Sequence, residues 1–175
     1  MAGELLEHFR NNSGRPIHKW SGYFEVYERF FQKYVNRPLN LLEIGVGRGG
    51  SLQMWKKYFG AGAQIFGLDI DPQCKLFEED RIRIFIGDQG DRQFLRLLKQ
   101  QLPKLDILID DGGHTMEQQI VTFQELFPHI SANGVYMCED LHTSYWRSYG
   151  GGYLNPNSFV EYSKRLIDYL NAYHS

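Results

Sequence analysis

The stretch Leu41–Ser51, LLEIGVGRGGS, constrains the fold of this chain more than any other, because an apolar run breaks there into a glycine-dense loop and re-emerges as an amphipathic helix. Such a strand, loop and helix open a nucleotide-binding α/β domain. Glycines at 45, 47 and 49/50 remove Cβ atoms where the backbone must turn sharply and approach a ligand, and the next helix offers free N–H groups at its positive dipole end. An adenosine-bearing ligand suits that place. The stretch also satisfies G-x-G-x-x-G through Gly45, Gly47 and Gly50, with Asp69 about 20 residues on, as a dinucleotide fold requires. The loop alone does not name the cofactor.

Further near-continuous apolar runs at Gln64–Ile70, Ile82–Ile86, Leu105–Ile109 and Val135–Cys138 join Leu39–Ile44 as five strands covered on both faces. Helical patterns separate them. Leu52, Trp55 and Tyr58/Phe59 mark a helix stopped by Gly60-Ala61-Gly62; Asp91 caps one carrying Phe94, Leu95, Leu98 and Leu102. Thr115 and Gln118 form the pattern of a capping box before Ile120, Phe123 and Leu126/Phe127. Alternating strands and helices imply right-handed crossovers and an α/β fold with an open, doubly wound parallel sheet. Ahead of it, residues 4–10 form a short helix, and Tyr23, Phe24, Tyr27, Phe30, Phe31 and Tyr34 give an aromatic helix face. That face packs on the sheet or, through its hydroxyls, covers the site. Behind the sheet, the loop Glu139 to Asn157 leads to a last helix through Tyr162, Leu166, Tyr169 and Tyr173.

At 175 residues the chain is read as one domain, 1–175: N-terminal helices over 1–38, the core over 39–146, and a loop and terminal helix over 147–175. Its net charge of −2 gives no electrostatic reason to expect nucleic acid or an anionic membrane surface. Cys74 and Cys138 fit no metal-ligand spacing, and neither a signal sequence nor a membrane span is evident, so a soluble protein of the reducing cytoplasm is expected.

In an open α/β sheet the ligand sits beyond the carboxyl ends of the strands, and here nearly every strand ends in acid. Glu43 lies on the first, Asp69 and Asp71 end the second, Asp88-Gln89 the third, Asp110-Asp111 the fourth and Glu139-Asp140 the fifth. Five acids on one rim repel unless ligands, a cation or protonation offset them. Asp69 is placed to accept from both hydroxyls of a ribose, and Asp88 with Gln89 to read an adenine edge. If the fourth and fifth strands are neighbours, Asp111, Glu139 and Asp140 converge on one point and suit a hard, oxygen-preferring cation such as Mg²⁺. His114, beside a glycine turn and this cluster, is the candidate proton acceptor; His142 is a secondary candidate.

LLEIGVGRGGS, GLDIDP, IGDQGD, DDGGHT and EDLHTSYW together resemble a class I S-adenosylmethionine-dependent methyltransferase. More narrowly, the pairing of DDGGH with EDLHTSY is similar to the metal-dependent sugar O-methyltransferases of macrolide antibiotic biosynthesis, the mycinamicin type. The resemblance implies a Rossmann-like sheet of order 3-2-1-4-5. It also implies Glu43, Gly45 and Gly47 on the methionine and ribose side, Asp69 on the ribose, Asp88 and Gln89 near adenine and Asp110 near the methionine amino group. Asp111, Glu139 and Asp140 match the family's Mg²⁺ ligands, and His114 with Asp111 forms the catalytic pair. The implied acceptor is a sugar or glycosylated small molecule of natural product biosynthesis, with oligomeric state open, a homo-oligomer included. The family's fold ordinarily ends in two further strands, for which no residues remain, so a C-terminally truncated chain with an exposed fifth strand, patched by another chain or covered by the final helix, is expected. An NAD(P)-dependent oxidoreductase, and a noncatalytic nucleoside-binding or interaction domain, are the competing readings.

Overall fold

The computed structural model describes residues 3–174 and contains one five-stranded parallel sheet of order β3-β2-β1-β4-β5. The strands are β1 (Leu39–Ile44), β2 (Ala63–Asp69), β3 (Ile82–Ile86), β4 (Leu105–Asp110) and β5 (Ile130–Cys138). Strand count and order agree with the sequence. β5 begins five residues earlier than its apolar run, because a register shift near Leu105 and Ile107 admits the polar segment from Ile130 into the ladder.

Side chains alternate across the sheet and divide the core in two. On one face Leu39, Leu41, Ile107 and Ile109 meet α1 (Glu4–Arg10), α2 (Tyr23–Phe31) and α3 (Gly50–Phe59) through Phe24, Tyr27, Phe31, Trp55 and Phe59. On the other, Leu42, Ile44, Leu68 and Leu108 meet α4 (Arg92–Gln101) and α5 (Met116–Leu126) through Leu95, Leu98, Val121 and Leu126. The expected caps are present: Asp91 accepts from Gln93 and Phe94 N–H, and Thr115 and Gln118 close a capping box.

The aromatic face of α2 is narrower than its spacing suggests. Phe24, Tyr27 and Phe31 are buried, while Phe30 stands in solvent because the helix ends at Phe31 and a 3₁₀ turn redirects the chain. Between α1 and α2 an irregular strap crosses the carboxyl side of the sheet. It is held by the Arg15 guanidinium donating to the Phe77 carbonyl and by Asn12 donating to the Arg15 carbonyl. Both alternatives for this region therefore hold: α2 packs on the sheet and the strap covers its rim.

The final helix, α6 (Phe159–Asn171), docks on α5 by setting Phe159 and Tyr162 edge-on against Phe123. Tyr169 and Tyr173 are exposed, so their rings do not cover the β5 edge. Among the described residues, no helix is long and apolar enough to cross a membrane.

A charged clamp fastens α4 to α5. Glu125 accepts from Arg92, Arg96 and Lys99 at 3.1–3.3 Å, and these donors, Arg96 foremost, hold its carboxyl down at about 2. A depressed carboxyl stabilises the fold above its ordinary pKa and loses that contribution as pH falls through its folded value. Because the cationic partners are partly in solvent, screening keeps the sum modest. Glu125→Gln is expected to cost about 1–2 kcal/mol in urea denaturation near neutral pH. The gap from the parent protein should close as pH falls from the ordinary 4.5 toward 2.

Candidate active site

Strand register brings the functional side chains to one level. Ile44 lies opposite Leu68 and Asp110, and Asp110 opposite Cys138. The ladder then runs one step further: Gly45 N–H donates to Leu68, Asp111 N–H to Ile44, and Glu139 N–H to Asp110. At Gly45 (φ +92°) a Cβ would stand 2.0 Å from the Asp111 carbonyl oxygen, so only glycine lets the first loop pass the end of β4. At Gly47 (φ +53°) a Cβ would meet nothing within 4 Å.

Two clefts along this rim share Asp69. One of about 200 Å³ is bounded by Gly45, Asp69, Ile70, Asp88, Gln89 and Gly113. Another of about 420 Å³ is bounded by His18, Gly47, Asp69, Asp111, His114 and Asp140. Asp69 borders both. Its Oδ2 accepts from Val46 and Gly47 N–H at 2.8 and 3.1 Å, and its Oδ1 from Asp71 N–H, so the acid placed for a ribose also closes the glycine loop.

The pleat then sorts the acids. Glu43, Asp111 and Glu139 turn toward α2 and α3, whereas Asp110 turns to the α4–α5 side, where it is fully buried. Asp110 accepts from the Gln89 amide and the Tyr136 hydroxyl, and burial raises its carboxyl to about 6. Asp110 thus braces the strand ends from the α4–α5 side. Gln89 borders the smaller cleft, its amide donating to Asp110 and Thr122 and accepting from Gly113 N–H. Asp88 is exposed there and caps the Gly90 N–H.

On the α2–α3 side the carboxylates surround a residue that sequence reasoning missed. Lys19, carried by the strap and only 1% exposed, places its Nζ 2.8 Å from Asp111 Oδ2, 2.8 Å from Glu139 Oε1 and 2.9 Å from Glu43 Oε1. Burial alone would lower the Lys19 pKa, but Glu43, Glu139 and Asp111 outweigh it and hold it well above the ordinary value. Burial pushes Glu139 up to about 7 against the pull of Lys19, and Glu139 also accepts from the Tyr27 hydroxyl at 2.5 Å. Glu43, fully buried, accepts from Ser51 through Oε2, while its Oε1 meets Lys19 as a charge without hydrogen-bond geometry. Glu43 thus lies beneath the lysine. The one sequence signal for such a residue is the unbalanced acidity of the rim.

The expected metal ligands are divided accordingly. Asp111 Oδ1 and Asp140 Oδ2 lie 3.8 and 3.6 Å from His114 Nε2, and one donor atom from each of the three residues falls within 4.8 Å of the others. Glu139 is turned onto Lys19. Asp111 and Glu139 already converge on one cation at 2.8 Å, and Asp111 and Asp140 offer further oxygens beside His114, so the residues have the donor chemistry a hard divalent ion requires and fit one. His142 stands outside, its ring against Trp20 and Trp146.

No family model matches the chain. It is 37% identical over 179 residues to 8-demethyl-8-alpha-L-rhamnosyl tetracenomycin-C 2'-O-methyltransferase of Streptomyces olivaceus, covering 98% of this chain and 46% of that protein. It is 43% identical over 132 residues to mycinamicin VI 2''-O-methyltransferase of Micromonospora griseorubida, covering 71% and 33%. The chain is a homologue of sugar O-methyltransferases. Its fold matches that of the MycE methyltransferase of the mycinamycin pathway, crystallised with Mg and SAH, at a TM-score of 0.84 and 36% identity over 97% of this chain and 48% of that one. The chain thus spans about half the length, or less, of the curated relatives it matches.

The two glycines of the loop separate sterics from strain. Gly45→Ala is expected to cost more than about 3 kcal/mol in chemical denaturation, since a clash adds to the left-handed penalty; Gly47→Ala should cost only about 1 kcal/mol.

Proposed function

We propose that this chain carries the catalytic core of a Mg²⁺-assisted, S-adenosylmethionine-dependent O-methyltransferase acting on a sugar hydroxyl of a glycosylated small molecule. The observation that carries the reading is the junction at Asp69, where a cleft suited to an adenosine opens into a second cleft walled by Asp111, His114 and Asp140. Support comes also from the homologues, whose names specify sugar positions, and from the Mg and SAH in the MycE crystals.

Asp69 would receive the ribose hydroxyls at the boundary and so fix where the sulfonium methyl points. Asp111, Glu139 and Asp140 would hold the ion, which makes an acceptor hydroxyl more acidic and orients it. His114 takes the hydroxyl proton at Nε2. The Asp111 and Asp140 carboxylates stand on either side of that nitrogen at 3.8 and 3.6 Å and so fix where the imidazole points. The His114 carbonyl accepts from the Thr143 hydroxyl, which ties the imidazole-bearing backbone to the segment after β5. Holding the nucleophile, methyl and sulfur in line supplies much of the remaining acceleration.

Calorimetry should show S-adenosylmethionine binding, and methyl transfer to the glycosylated acceptors of the homologues should disappear on chelation. His114→Ala should lower turnover by roughly 10²–10⁴-fold while leaving cofactor affinity unchanged. Tight NADH binding without S-adenosylmethionine binding would sink the reading.

A further inference from the structure

The strap lysine and the reading of the cluster as a divalent-cation site make competing demands on the same oxygens. Four carboxylates, Glu43, Asp111, Glu139 and Asp140, meet at the rim, and the Lys19 ammonium sits between two of the three expected ligands at 2.8 Å from each. A divalent ion with Mg²⁺–oxygen distances of about 2.0–2.1 Å would have to occupy that same space to touch both Asp111 Oδ2 and Glu139 Oε1. Two cations cannot share it.

The ammonium also leaves the cluster short of donors. Glu43 Oε1 is fully buried with no hydrogen bond, while Asp111 Oδ1 and Asp140 Oδ2 lie 3.8 and 3.6 Å from the His114 ring nitrogen. One positive charge therefore faces more carboxylate than it neutralises. A way out exists beside it: a cleft of about 540 Å³, walled by Ile17, Lys19, Trp20, Asp111, Glu139 and Asp140, has room for a lysine stem to swing. A compact ammonium on a flexible four-carbon chain is readily rehydrated there, with the strap still anchored at Arg15.

We propose that Lys19 is the resident cation of this site: its ammonium holds Asp111 and Glu139 converged until a divalent ion arrives, and the ion gains those two carboxylates only by displacing it. Lys19 is thus a positioning residue that sets the affinity for the ion and couples its binding to a side-chain movement beneath the strap. The inference rests on the metal-assisted reading above.

Mn²⁺ serves as the probe, with free ion counted by electron paramagnetic resonance. Lys19→Met should bind Mn²⁺ roughly tenfold more tightly or better than the parent protein, because a fixed positive charge a few ångströms from the ion is gone. Lys19→Arg, which keeps the charge, should bind no more tightly than the parent. In the parent protein, Mn²⁺ should raise acylation of Lys19 by a water-soluble active ester, read by mass spectrometry, while that of the strap-distant Lys33 stays constant. This second measurement decides the matter if Lys19→Met fails to fold. Equal or weaker Mn²⁺ binding by a folded Lys19→Met, unchanged Lys19 labelling at saturating Mn²⁺, or no Mn²⁺ binding by either protein overturns the proposal. Calorimetry with S-adenosylmethionine separates that failure from failure of the methyltransferase reading: retained cofactor binding leaves the latter standing, and its loss removes both.

Discussion

A single buried ammonium, that of Lys19, makes the acidic end of this sheet tenable. Parallel strands in register bring their carboxyl ends to one level, so a sequence that ends nearly every strand in acid concentrates negative charge where burial is deepest. Three devices offset it here. Lys19 supplies a counter-charge to Glu43, Asp111 and Glu139; burial makes carboxyls easier to protonate, with Glu139 raised to about 7 and Asp110 to about 6; and neutral donors, Ser51, Tyr23, Tyr27, Gln89 and Tyr136, fill lone pairs. Removing one partner from a buried pair leaves an uncompensated charge, so the strap and the sheet depend on each other.

That dependence explains why the N-terminal region is built of tyrosines as well as phenylalanines. Tyr27 stacks on Phe31 and meets Trp55 edge-on within the core, yet its hydroxyl reaches Glu139; Tyr23 reaches Asp140 in the same way at 3.0 Å. Each ring is apolar at its base and polar at its tip. Helix α2 therefore joins the core to the site, and the choice between packing and covering dissolves: one face of one helix does both.

The sequence made legible whatever local periodicity and capping determine. Five apolar runs, the glycine loop, the Asp91 cap and the Thr115–Gln118 box all appear where their patterns place them, because each depends on neighbours within a few residues. The residues gathered at the rim were legible too, from the rule that strand ends face the ligand. Illegible were the partners across the fold. Asp110 and Asp111 are adjacent in the chain and point to opposite faces, a consequence of pleat phase that an unaligned run of acids conceals. Lys19 lies 92 residues from Asp111 and 120 from Glu139, in a strap without periodicity, so only the unbalanced charge hinted at it. The exposed tyrosines of α6 reproduce a helical stripe whose far end finds nothing to pack on.

Backbone strain marks the same place as the charge. His114 (φ +57°) and Asp140 (φ +53°) both adopt the left-handed region, at a cost of about 1–3 kcal/mol each. Both lie in the loops that follow their strands, and both aim side chains at one point: His114 Nε2 and Asp140 Oδ2 stand 3.6 Å apart. An extended backbone would carry each residue onward along its strand direction and separate them. The strain is borne by restraints on either side: the Thr143 hydroxyl lies 3.0 Å from the carbonyls of both His114 and Asp140 and shares its one proton between them, and the Tyr23 hydroxyl donates to the Asp140 carboxylate. A single threonine thus ties the two strained turns together. The imidazole and carboxylate are held facing one another by the folded backbone itself, before any ligand contributes.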